Sequence, residues 1–139
     1  MFFTIETSTM KSQDSEKLTI NMGFVDLGHV DLLVKNGFYS SRSDFIRTAI
    51  RNQLMAHADA ARQVTSRLTL ELGLRRFTRQ DLEAVQAAGE KLDIRVLGLT
   101  TIDDDVSAEL ARATISSLTV LGAFHASVEV KAALTDRLI

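Results

Sequence analysis

The sequence contains no cysteine and no proline, and the two absences narrow its chemistry before any motif is read. Without cysteine there can be no disulfide, no thiolate metal site and no cysteine nucleophile, which fits a reducing compartment. A proline-free chain that is 45% hydrophobic reads as folded, not disordered. The opening MFFTIETSTMKSQDSEK lacks a basic stretch followed by an apolar core, so it does not read as a secretory signal. No apolar run approaches the roughly 20 residues of a membrane span. A cytoplasmic protein without a membrane partner is the expectation.

Charge of one sign is also scarce: 16 basic against 18 acidic residues leave a net −2. The distribution is uneven. Residues 17–57 hold Lys17, Lys35, Arg42, Arg47 and Arg51 against three acids, whereas residues 58–139 hold ten bases against twelve acids. An excess this small does not by itself point to nucleic acid, although two copies brought together would double it.

At 139 residues the chain has room for one ordinary domain or two small ones. Residues 1–16 read as a flexible arm in which Phe2, Phe3 and Ile5 offer a possible edge strand. Lys17 to Met22 alternates as a strand, with Leu18, Ile20 and Met22 on one side and Lys17, Thr19 and Asn21 on the other. The spacing of Leu27, Val30, Leu33 and Val34 predicts a helix over 25–36, closed by Asn36-Gly37. The stretch YSSRSDFIRTAIRNQL predicts a second helix, with Ser41 and Asp44 spaced as a capping box and Ile46, Ile50 and Leu54 on one face. Helix is expected to continue through an alanine-rich connector, 58–67.

The second half, 68–139, alternates between the two periodicities. RLTLELGL, DIRVLGL and SSLTVLGAF read as strands. TRQDLEAVQAAGEKL, capped at Thr78, SAELARA and SVEVKAALTDRL read as helices. Val96-Leu97-Gly98 recurs as Val120-Leu121-Gly122, and Val106 and Leu110 map onto Val130 and Leu134 at the same offset of 24. Either a solenoid-like stack of strand–helix units or a small open α/β sheet fits this repeat. The fold class is therefore α/β: an N-terminal unit of one strand and two helices, then a small α/β unit with a repeat-like pattern.

One strand and two helices cannot close a core, and a lone strand leaves both edges unpaired. Two copies solve this by pairing their strands antiparallel over four helices. Leu18, Ile20, Met22, Leu33, Ile46 and Ile50 would then form a dimer core. Lys17, Thr19 and Asn21 would face outward in duplicate from a two-stranded ribbon, a shape that fits the major groove of B-DNA. Lysine can donate to guanine, asparagine can bond adenine, and threonine offers a hydroxyl and a methyl. The N-terminus of the second helix, with Ser41 and Ser43, suits a backbone phosphate.

Residues 17–55 closely resemble the ribbon-helix-helix repressors, the CopG-like and ParD-like regulators of bacteria and phage. KLTIN matches the ribbon, and NGFYSSRSDFIRTAI matches the turn and second helix. The resemblance implies base contacts from Lys17, Thr19 and Asn21 and phosphate contacts around Ser41, Arg42 and Ser43. Gly23 and Gly28 depart from the pattern: either the first helix starts late, or Gly28 allows close packing. The resemblance does not extend into residues 60–139.

Each of these residues has a plainer reading. Lys17, Thr19 and Asn21 taken alone could be the solvent face of a strand. Arg42 could pair with Asp44 or Asp26 and merely hold the turn. Arg47 and Arg51 read as helix-surface residues. His29, His57 and His125 are too scattered for the imidazole-rich nickel site of metal-sensing relatives. Asp103–Asp105 reads as a solvated loop that helps start the following helix. No nucleotide-binding glycine loop or catalytic constellation is present, so neither an enzyme nor a cofactor or metal is expected.

The function expected is a sequence-specific DNA-binding repressor acting as a homodimer on double-stranded DNA. Its second half would support tetramers or larger species, or bind a protein partner. The alternative is the antitoxin of a type II toxin–antitoxin pair, which represses its own operon and binds the toxin through the C-terminal region.

Overall fold

The computed structural model describes residues 15–139, so most of the expected arm at 1–16, with Phe2, Phe3 and Ile5, lies outside the described residues. The chain divides into two compact units between Ala60 and Ala61.

In the first unit, residues 15–23 carry no regular secondary structure, where a strand at 17–22 was expected. The reason is physical. A strand is defined by hydrogen bonds to a neighbour, and among the described residues of this unit there is no other strand to supply them. Helix α1 (Phe24–Lys35) begins immediately after Gly23 and runs through Gly28, so it does not start late. A Cβ at Gly28 would meet nothing within 4 Å, so close packing at this glycine has no counterpart among the described residues. Asp26 in the first turn and Lys35 in the last both complement the helix dipole.

Gly37, at φ +83°, ends α1. Its N–H donates to the Val34 carbonyl, and the Phe38 N–H donates to that of Leu33, the paired bonds of a Schellman motif. Helix α2 (Arg42–Ala56) follows, and α3 (Ala58–Arg67) succeeds it after a break at His57. The helix extends to Arg67 and closes through Thr69 in the left-handed region, φ 56°. The next strand therefore starts at Glu71, later than the sequence suggested.

The second unit is a three-stranded parallel sheet in the order β1-β2-β3: β1 (Glu71–Phe77), β2 (Leu92–Ile102) and β3 (Ile115–His125). The connecting helices are α4 (Arg79–Ala87) and α5 (Ala108–Thr114). Helix α6 (Val128–Ala133) and a 3-10 turn (Thr135–Arg137) follow β3. The single final helix expected over 127–138 is thus split in two. The 24-residue offset is the strand register itself: Val96, Leu97 and Gly98 lie beside Val120, Leu121 and Gly122. The looser copy falls one strand earlier, with Leu72 and Gly73 beside Leu97 and Gly98.

Alternation along the strands sends Ile94, Val96, Ile102, Leu118, Val120 and Phe124 to one face. There they pack with Leu82 of α4, Leu110 and Ala111 of α5 and Val130 of α6 in one core. All three helices therefore cover the same face, with α5 between α4 and α6. Leu138 and Ile139 return along the outer edge of β3, where the Ile139 N–H donates to the Leu118 carbonyl.

Candidate nucleic-acid interface

The turn between α1 and α2 is held by several side-chain hydrogen bonds. Ser41 caps α2, its Oγ accepting from the Asp44 N–H at 3.0 Å. The capping box expected from the spacing is only half formed. The Asp44 carboxylate reaches past Ser41 to accept from the Ser40 N–H at 2.9 Å and the Ser40 hydroxyl at 3.2 Å. Tyr39 and Phe45 meet edge to face at 4.9 Å, tying the turn to the helix it precedes.

Arg42 is held by an acid, but not by Asp44 or Asp26. Its Nε and Nη2 donate to the two carboxylate oxygens of Asp31 at 2.7 and 2.8 Å. This two-pronged pair spans from α1 to the start of α2. The bonded guanidinium holds the Asp31 carboxyl below the usual carboxylate range. Eleven residues separate the partners, too far for a helix-spacing rule to link them.

Ser43 is exposed in the first turn of α2, where the leading N–H groups of a helix have no intrahelical partner. Ser41, Arg42 and Ser43 are thus brought together at one fixed helix end. Lys17, Thr19 and Asn21 are all exposed on the segment before α1. On the same segment Leu18 is 80% and Ile20 62% exposed. Among the residues expected to form a core, Met22, Leu33 and Ile46 are half-buried and Ile50 is exposed. Val30 is the buried hydrophobic residue among those described in this unit. The first unit by itself leaves its apolar surface uncovered.

In the second unit, Asp103 does more than sit in a solvated loop. It accepts from Arg76 Nε and Nη2 at 2.8 and 2.9 Å, joining the end of β1 to the end of β2, and Ser107 rather than the aspartates caps α5. Among the described residues no group of three or more His, Cys, Asp or Glu is placed to hold a metal ion, and no helix is long and apolar enough to cross a membrane.

A model of the ribbon-helix-helix transcriptional regulator family matches residues 13–131. The chain belongs to this family. Membership makes it a DNA-binding transcriptional regulator, and the match runs through both units, well beyond the 17–55 stretch that carried the resemblance. No curated protein and no solved structure matches the chain.

Proposed function

We propose that this family member is a sequence-specific repressor that binds its operator as a homodimer. Two copies of 17–22 pair antiparallel and enter the major groove, with Lys17, Thr19 and Asn21 of each facing the bases. Leu18, Ile20, Met22, Leu33, Ile46 and Ile50 close against their counterparts. The start of α2 holds a backbone phosphate through its leading N–H groups and Ser43, while Ser41 keeps its capping bond. Arg42 has two parts: its pairing with Asp31 fixes α1 against α2, and its charge remains beside the phosphate. The domain assignment that goes with this reading is DNA binding by 17–57, a connector at 58–67, and assembly through 68–139.

The observation that supports this reading best is the exposure of Leu18 and Ile20 on a six-residue alternating segment. A lone chain would not leave both the apolar and the polar face of such a segment in water. Pairing with a second copy removes the apolar face and presents the polar one.

The experiment compares Asn21→Ala and Ser43→Ala on an operator recovered by mapping bound genomic sites, and on random DNA. Asn21→Ala should weaken operator binding by about 1–3 kcal/mol and leave random DNA nearly unaffected. Ser43→Ala should weaken both alike, because phosphate contacts carry no sequence information. Equal losses on both DNAs for Asn21→Ala would defeat the base-reading assignment.

A further inference from the structure

The helices of the second unit cover one face of its sheet, and the other face carries an ordered apolar patch. Register places Leu72, Leu97 and Leu121 in one row across the three strands and Leu74, Leu99 and Ala123 in the next. Leu72 is 79% exposed, Leu74 72% and Leu121 48%. All-parallel sheets are almost always covered on both faces. A contiguous leucine array left in water is an interaction surface, not ordinary surface.

We infer that this leucine face packs against the same face of a second copy of the chain, forming a two-sheet sandwich; the inference rests on the homodimer proposed above. Three features favour a second copy over a foreign partner. The patch is its own complement, since leucine rows meet leucine rows under a two-fold axis. The two arginines flanking it are already paired within the chain, Arg95 with Asp93 and Arg76 with Asp103, so neither is free to recruit an acidic partner.

The third feature is size. Three strands about 4.8 Å apart and two apolar rows about 7 Å apart make a patch on the order of 200 Å². Two such faces would bury roughly 400 Å² in total, about a third of what a free-standing interface needs. A separate protein would not be held by so little. A second copy already joined through the first unit is held, because its face is presented at an effective concentration in the millimolar range.

The absence of native cysteine makes the test direct. Packed sheets lie about 10 Å apart, too far for a disulfide, so full-length Leu97→Cys is treated with a bis-maleimide of about that span. Leu74→Cys is the second variant, since a side chain this exposed cannot disturb the core, and Glu129→Cys on α6, on the helical side, is the control. Covalent dimer should form at least tenfold more from the two face variants than from Glu129→Cys, at low micromolar protein. A yield no higher than the control from protein that sediments as a dimer would overturn the leucine-face contact and leave the N-terminal pairing standing. Protein that sediments as a monomer and fails to cross-link would overturn both.

Discussion

Gly98 illustrates how little room single positions in the sheet allow. It sits at φ +142°, and a Cβ there would lie 2.1 Å from the Gly73 carbonyl oxygen; at Gly122 the same distance separates a Cβ from the Gly98 oxygen. Backbone cannot yield as a flexible side chain can, so Gly98→Ala and Gly122→Ala should each cost more than the about 1–3 kcal/mol of backbone strain alone. Gly73 shares the positive φ but has nothing within 4 Å. Gly73→Ala should therefore be the mildest of the three in thermal melts, and an equal loss at all three sites would refute the close-approach argument. Thr100 makes the opposite case. Its hydroxyl is fully buried with no hydrogen-bond partner among the described residues, so Thr100→Val, which keeps the shape and removes the polar atom, should be neutral or raise the melting temperature. The recurrence of Val96-Leu97-Gly98 was legible because it is the register that sets these glycines side by side. The fate of Thr100 was not, since a strand pattern says nothing of which hydroxyl finds a partner.

Among the elements, α4 and α2 begin with similar four-residue signals but are capped differently. Thr78 and Asp81 form a reciprocal box at 3.0 and 3.1 Å, whereas Asp44 turns to Ser40. Thr78→Ala should cost about 1 kcal/mol, read from denaturant midpoints. The spacing alone could not tell the two starts apart, because the choice depends on how the chain enters the helix. The Asp31–Arg42 pair joins α1 to α2 and sets an acid limit. The Asp31 carboxyl is depressed in the folded state by its bond to Arg42, so the pair's support is full above the ordinary aspartate value near 4. It disappears as pH falls through the depressed value. The first unit should lose stability below about pH 4, and Asp31→Asn should be less stable near neutrality with a flatter profile there. An acid limb unchanged in Asp31→Asn would remove the pair from this role. Elements of the second half were readable from their periodicity, but pairs that bridge elements, Arg42 with Asp31 and Arg76 with Asp103, were not. Nothing in a linear pattern marks residues 11 or 27 positions apart as neighbours.

For the whole molecule, the two units differ in what they need from outside. The second closes a core from Phe77 to Leu134 within one chain, while the first leaves Leu18, Ile20 and Ile50 exposed. Binding to DNA should fall linearly in log–log terms with salt, because phosphate contacts release counterions. A flat salt response on random DNA would contradict phosphate binding at α2. The same difference between units dictates an order of events in time. The second unit can fold at a rate indifferent to protein concentration, since all its strand partners lie in one chain. In the homodimer proposed above, the first must wait for an encounter. Refolding of the full chain should therefore split into an early unimolecular phase and a later one whose rate rises with concentration. On that proposal, a species with a finished sheet and a reading segment still unpaired would stand between them, unable to recognise an operator. On the homodimeric repressor reading proposed above, such a regulator would become active only above the concentration at which two chains meet, and its own abundance would set a threshold for repression.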